Sequence, residues 1–166
     1  KLTRNGVVGL LATRATVQRP YTPDLVARFA TDCQILMLGS AELVELAEAK
    51  LHGEEGSLAA LKKILHPWLR LREPPDTVVL GCTHFPLLSQ ELSQVLPDGT
   101  RMIDSGSAIA RRAHWLIETS HVPIPEKKTN MEIECVAYCM AMTAEAQSLL
   151  PVLQSYGFRS IQELPL

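Results

Sequence analysis

Cys82, Thr83 and His84 stand together directly after the apolar run Asp76–Gly81 (DTVVLG). A parallel sheet places its chemistry there, because ligands bind beyond the carboxyl ends of its strands. A thiol at this position lies close to the amino end of the helix that Pro86 opens, whose dipole and free N–H groups favour thiolate over the ordinary pKa of about 8.5. Such a cysteine can take or give a proton. His84, two residues on, can orient it or serve as a second acid or base, and Thr83 supplies a hydroxyl and a backbone N–H for a carboxylate. The other reading of the same residues is a buried structural cysteine beside a solvent-facing histidine.

Other polar residues carry weaker signals. Thr13 and Thr16 follow an earlier apolar run in the same way, and their hydroxyls can bind a carboxylate, although capping the turn is the default role. Glu48 falls on the polar side of a Leu43/Leu46/Ala47 helical stripe, where most glutamates are simply solvated. Asp104-Ser105-Gly106 ends one run and opens a helix, which is N-cap chemistry first and ligand chemistry second. Cys82 is followed by Thr83-His84-Phe85-Pro86-Leu87-Leu88, without the phosphate-cradling loop and arginine of a cysteine phosphatase. Cys135 and Cys139 would share one face of a strand with no histidine pair nearby, so no zinc site is expected, and with Cys33 they are read as core thiols. There is no GxGxxG and no P-loop, hence no visible basis for dinucleotide or nucleotide binding.

Short apolar runs alternating with helical patterns must position these residues, which gives an α/β class with a parallel sheet flanked by helices. Gly6–Ala12 reads as a buried strand, and Thr22-Pro23-Asp24 opens a helix to about Asp32. Gln34–Leu38 is the next strand, and Ser40 caps a helix that Gly53 ends. Ser57 starts a further helix that Pro67 should kink or divide. After the strand Asp76–Gly81, a helix begun by Pro86 ends before Pro97, and Met102–Asp104 leads into a helix near Ser105. His121–Asn130 is polar with two prolines and reads as a surface connection marking a candidate domain boundary. Met131–Met140 is an alternating strand, and Thr143–Tyr156 a last helix closed by Gly157.

Composition sets the outer limits. In 166 residues, 46% hydrophobic and 20% charged, there is material for a core of one or two small domains. Sixteen Lys plus Arg against eighteen Asp plus Glu leave a net charge of -2, which argues against a nucleic-acid partner. No apolar run approaches the roughly 20 residues that span a bilayer, so no membrane insertion is expected. Four scattered cysteines suit a reducing cytoplasm better than a disulfide-stapled secreted scaffold. The chain opens on Lys1 without a signal-peptide pattern, and is expected to be part of something longer.

The segment Val78-Val79-Leu80-Gly81-Cys82-Thr83-His84-Phe85-Pro86-Leu87-Leu88 resembles the second cysteine motif of glutamate racemases, within the aspartate/glutamate racemase superfamily. Gly9–Val17 (GLLATRATV) is similar to the family's strand-to-loop segment with two threonines, and Leu43–Glu48 (LVELAE) to its helix bearing a glutamate near the site. Ile103-Asp104-Ser105-Gly106 and Met140-Ala141-Met142-Thr143 fit the same pattern, with the character of the enteric bacterial branch. The resemblance covers all 166 residues.

The resemblance implies a racemase of two similar α/β domains, with glutamate between them and one cysteine on each face of the α-carbon. One thiolate removes the α-proton and the opposing thiol delivers another, without pyridoxal phosphate or metal. Cys82 would be the second cysteine, with His84 assisting it and, like Thr83, contacting substrate, while Thr13, Thr16 and Glu48 match secondary site positions. Residues 1–104 would form the second domain and 105–166 complete the first. The family's amino-terminal Asp-Ser, Tyr-Gly and Cys-Asn-Thr motifs are absent, and Cys33, Cys135 and Cys139 do not sit in the context of the missing thiol. A carboxy-terminal portion, inactive alone, is therefore expected of a cytoplasmic enzyme that supplies D-glutamate for peptidoglycan and responds to a peptidoglycan-precursor activator. The alternatives are an aspartate or broad amino-acid racemase of the same superfamily, or a non-catalytic ligand-binding fragment.

Overall fold

The computed structural model describes residues 2–120 and 135–165. Four parallel strands form its main sheet in the order β2-β1-β3-β4. They are β1 (Val7–Ala12), β2 (Gln34–Gly39), β3 (Thr77–Leu80) and β4 (Arg101–Ile103). Alternation along β1 sends Val7 and Leu11 to a buried face, and Val8 and Leu10 to a half-buried one.

Helices α3 (Glu42–Leu51), α4 (Leu58–Leu69) and α5 (Ser89–Val95) cover the buried face. Leu43 and Ala47 of α3, Leu61, Leu65 and Trp68 of α4, and Leu92 of α5 join Leu11, Val78 and Leu80 in one core. Gly9 is required by this packing, because a Cβ there would lie 2.7 Å from the Trp68 ring. Only α1 (Arg14–Gln18) and α2 (Tyr21–Phe29) precede β2 on the other side. An apolar groove of about 350 Å³ remains there, lined by Val8, Leu10, Leu25, Phe29, Ile35 and Val79 among others.

Asp76 ties the amino-terminal segment to the start of β3. Its carboxylate accepts hydrogen bonds from the Thr3 hydroxyl at 2.7 Å and from the Arg4 and Asn5 N–H groups at 2.7 and 2.9 Å. Burial pushes this carboxyl upward, but the hydrogen bonds from Thr3, Asn5, Arg4 and Thr77 outweigh it and bring the pKa from 3.8 down to about 2.

Several boundaries differ from the sequence reading. The helix expected to open at Thr22 is preceded by α1, because the Thr13 hydroxyl already caps a turn by accepting from Thr16 N–H at 3.2 Å. Thr22 instead lies buried inside α2, donating its hydroxyl to the Thr16 carbonyl at 2.7 Å, and α2 ends at Phe29. Pro67 neither kinks nor divides α4, which runs on to Leu69. It stands in the last turn, where a missing N–H removes only one bond near the end of the ladder. Ser40 and Ser57 do accept from Leu43 and Ala60 N–H, both at 3.2 Å. The segment after His84 starts as a 3-10 turn over Phe85–Leu88 and becomes α-helical only at Ser89.

Beyond β4 come α6 (Gly106–Thr119), β5 (Cys135–Cys139), α7 (Ala144–Ser148), α8 (Leu150–Ser155) and β6 (Phe158–Glu163). The expected connection His121–Asn130, and the part of the expected strand over residues 131–134, lie outside the described residues. The single helix expected over Thr143–Tyr156 is broken into α7 and α8 at Leu149, since Pro151 lacks the N–H that would continue α7. β6 was not anticipated; it pairs in parallel with β5. The core role expected of the thiols does not hold. Cys135 is exposed and Cys139 only partly buried, because the two-stranded β5-β6 pair contains no buried residue, and Cys33, in the turn just before β2, is only partly buried as well.

Candidate active site

The carboxyl ends of β1 and β3 are adjacent, with Leu11 opposite Leu80, and the Gly81 N–H donates to the Leu11 carbonyl at 2.8 Å. This register puts Cys82 beside the start of the Thr13 turn. A Cβ on Gly81 would lie 3.1 Å from Leu10 Cδ1 and 3.3 Å from Ala12 Cβ, so a small residue suits this crossing. The chain then turns sharply, with the Phe85 N–H donating to the Cys82 carbonyl at 3.2 Å, and the fully buried Phe85 and Leu88 anchor the turn in the core.

That anchoring aims His84 back at Cys82. His84 Nδ1 lies 3.7 Å from Cys82 Sγ, and His84 Nε2 lies 2.5 Å from Glu48 Oε1 on α3. A carboxylate only accepts, so the contact with Glu48 fixes the proton of the neutral ring on Nε2. Nδ1 is then free to accept the Cys82 thiol proton. When the ring carries both protons, Nδ1 donates instead to a thiolate. Glu48, His84 and Cys82 thus form a continuous proton path, open to solvent at the Glu48 end, where the side chain is 47% exposed. Glu48, solvated on the local pattern and a secondary site position by the resemblance, is exposed to solvent and also holds a specific partner in His84.

A cleft of about 310 Å³ opens at the same place, lined by Val79, Leu80, Gly81, Cys82, Thr83, Ile103, Asp104 and Ser105. It is large enough for an amino acid. Thr83 is exposed at its edge. Thr13 and Thr16 are partly buried, and their hydroxyls lie 2.9 Å apart, engaged with each other and with the turn they cap rather than lining this cleft. Asp104 accepts from the Gly106 N–H at 2.7 Å, so it caps α6 as expected, whereas Ser105 makes no side-chain cap. Among the described residues there is no group of three or more His, Cys, Asp or Glu placed to hold a metal, and no helix long and apolar enough to cross a membrane.

The family model for Asp/Glu/Hydantoin racemases matches residues 1–113, which include Cys82, His84, Glu48 and the cleft. The chain belongs to the Asp/Glu/Hydantoin racemase family. Glutamate racemases of Serratia proteamaculans and Salmonella typhimurium are 66% and 68% identical to it over all 166 residues. The chain spans 56% and 57% of their lengths. The crystal structure of Escherichia coli glutamate racemase in complex with L-glutamate and the activator UDP-MurNAc-Ala superimposes with a TM-score of 0.86 at 66% identity. It covers 98% of this chain and 59% of its own. A Bacillus anthracis glutamate racemase isoform, 20% identical, shares the fold with a TM-score of 0.73, covering 99% of this chain and 59% of its own.

Within the racemase-family region, Asp104 and Ser105 are the cleft residues that sequence reasoning placed second. A residue following a strand and preceding a helix scores equally as a cap and as a ligand contact, and only the sheet order β3-β4 sets it beside Cys82. Lys50 was missed altogether. Its ammonium reaches the Leu87 carbonyl and Glu91, both at 2.8 Å, across 37 and 41 residues of sequence, and no local pattern announces such a contact.

Proposed function

We propose that this chain carries the second-cysteine half of a glutamate racemase, interconverting L- and D-glutamate without a cofactor. The observation that carries the reading is the Glu48–His84–Cys82 path ending at a cleft the size of an amino acid, in a chain whose relatives are named glutamate racemases. Cys82 as thiolate takes the α-proton from one face of glutamate. A thiol on the opposite face, supplied by the part of the relatives' length outside this chain, delivers a proton to the carbanion. One C–H bond breaks and one forms, Cys82 ends as thiol, and the opposing sulfur ends as thiolate. His84 accepts or returns the Cys82 proton through Nδ1 while Glu48 holds the ring. Thr83, Asp104 and Ser105 line the site where the substrate's polar ends lie, and Thr13 and Thr16 shape the neighbouring turn.

Residues 1–104 constitute one α/β domain in this reading, and 105–166 contribute to another. The exposed Ile109, Leu116 and Ile117, which fall within about 100° of one another around α6, support the second assignment, since an exposed apolar helix face is made to be covered. The longer protein acts in the cytoplasm to supply D-glutamate for peptidoglycan, and a peptidoglycan precursor of the kind bound by the Escherichia coli relative modulates it.

The test uses this sequence extended to the length of its relatives. Incubated with L- or D-glutamate in deuterium oxide, it loses optical activity and gains deuterium at the α-carbon. Cys82→Ser abolishes turnover in both directions yet leaves exchange of one enantiomer, because the opposing thiol keeps its own face. His84→Asn lowers the rate by roughly 10² to 10⁴, chiefly where Cys82 is the base. Unchanged racemisation after Cys82→Ser would sink the reading, and faster conversion of aspartate than glutamate would replace the substrate. The 166-residue chain alone, with a single thiol lining the cleft, does not racemise glutamate.

A further inference from the structure

Two polar contacts from α3 reach the same short stretch of chain. Glu48 pairs with His84, and Lys50 Nζ donates to the Leu87 carbonyl at 2.8 Å and pairs with Glu91 Oε1 at 2.7 Å. Between these contacts lies a fully buried stripe of Leu43 and Ala47. An apolar stripe is attractive but not directional, so it leaves the rotation of a helix less sharply defined than a hydrogen bond does. At 100° per residue, Glu48 leads Ala47 around the axis and Lys50 trails it, placing the two contacts about 160° apart on either side of the stripe. Polar contacts on both flanks are what specify that rotation.

The Lys50 contact is built to hold. Its side chain is 30% exposed and that of Glu91 only 13%, so the pair is shielded from solvent compared with a surface ion pair. Glu91 is boxed in as well, since a Cβ on Gly56 would lie 2.8 Å from its Cγ. The Leu87 carbonyl belongs to the 3-10 turn Phe85–Leu88, which begins one residue after His84. The ammonium therefore fastens α3, which carries Glu48, to the turn that carries His84.

We infer that Lys50 is a positioning residue: by bridging the Leu87 carbonyl and Glu91 it sets the rotation of α3 that keeps Glu48 on His84 Nε2, and so keeps the proton path to Cys82 connected. This rests on the reading of Cys82 and His84 as the proton-transfer groups of a racemase, and it adds what holds them in line. A misplacement of about 1 Å at such a path costs on the order of 10² in rate.

The test reads the geometry directly in the 166-residue chain, apart from turnover. Imidazole ¹⁵N correlation spectra of the unsubstituted protein show His84 as a single Nε2–H tautomer, and Lys50→Met moves its ring signals toward those of the exposed His66, which has no carboxylate partner among the described residues to fix its tautomer. Lys50→Arg, which keeps a cation able to reach both acceptors, restores the single tautomer, and Glu91→Gln shifts the signals part of the way. In the longer protein, Lys50→Met lowers kcat about 10²-fold with KM changed less than about threefold, the split expected of displaced proton-transfer groups rather than lost binding. A His84 tautomer unaltered by Lys50→Met overturns the inference, as does an averaged tautomer in the unsubstituted protein. Should Lys50→Met fail to fold, Glu91→Gln decides by the same spectrum. A longer protein that never racemises glutamate would instead remove the racemase reading and leave the clamp standing on its spectrum.

Discussion

Helices α4 and α6 have similar lengths, similar amphipathic patterns and one tryptophan each, yet they sit in opposite environments. In α4, Leu61 and Leu65 are fully buried and Trp68 is 4% exposed, whereas in α6 no residue is buried and Trp115 is 48% exposed. The contrast extends to the regions they belong to. Residues 2–103 surround one continuous core, while not one described residue from 104 to 165 is buried. Trp115 is left with the Arg112 guanidinium stacked 4.2 Å from its ring centroid, a contact within its own helix. An amphipathic pattern states that a helix has a partner, and sequence periodicity does not say whether that partner lies in the same stretch of chain.

The largest expected effect follows from this pair. Trp68→Ala removes a ring packed against Gly9 and should cost about 3 to 5 kcal/mol, comparable with the whole stability of a domain this size. Trp115→Ala in the same 166-residue chain should stay within about 0.5 kcal/mol. Urea unfolding followed by far-ultraviolet circular dichroism compares them, and similar losses for both would erase the distinction between the regions. In a protein of the relatives' full length, the Trp115→Ala cost should rise above about 2 kcal/mol if α6 is covered there.

Thiol labelling sharpens the same comparison at smaller amplitude. In the 166-residue chain, Cys135 is exposed and Cys82, Cys33 and Cys139 are partly buried, so iodoacetamide should modify Cys135 at least as fast as Cys82. In the longer protein Cys135 should slow by at least about tenfold as its sheet gains a cover, while Cys82, which lines the open cleft, keeps its rate within a few-fold. Peptide mapping after brief alkylation measures both. A Cys135 rate that does not change with chain length would mean that the β5-β6 sheet is a permanent surface.

How much could be read beforehand divides along the same line. In residues 2–103 the strands announced themselves as apolar runs, and Ser40 and Ser57 announced their helices, because each signal was local and the structure that satisfies it is near in sequence. Cys82 and His84 were legible for the same reason, being two residues apart at a strand end. The pairing of Glu48 with His84 was not, since the two lie 36 residues apart and only the packing of α3 on the 3-10 turn brings them together. Beyond residue 104 local signals misled: Pro151 was overlooked as a breaker, β6 as a strand, and the thiols of β5 were assigned to a core that the described residues do not provide.

The smallest effect concerns acid, and it separates a networked carboxylate from a solvated one. Asp76 has its pKa lowered from 3.8 to about 2, so it binds a proton more weakly folded than unfolded. Its contribution is thus complete above about pH 4 and is lost as pH falls toward 2, the direction required when the unfolded state binds more protons. The side chain is only 12% exposed, yet it sits at the rim of the sheet where solvent screens it, which leaves on the order of 1 kcal/mol. Asp76→Asn should therefore lower the urea midpoint at pH 6 while flattening its fall between pH 4 and pH 2. The His114–Glu118 pair of α6 provides the counterpart, with side chains 74% and 59% exposed. Replacing His114 by Ala should shift stability by no more than a few tenths of a kcal/mol at any pH in this range. If Asp76→Asn retained the full slope of the unsubstituted chain between pH 4 and pH 2, the hydrogen bonds from Thr3, Arg4 and Asn5 would not be what anchors the amino-terminal segment to β3.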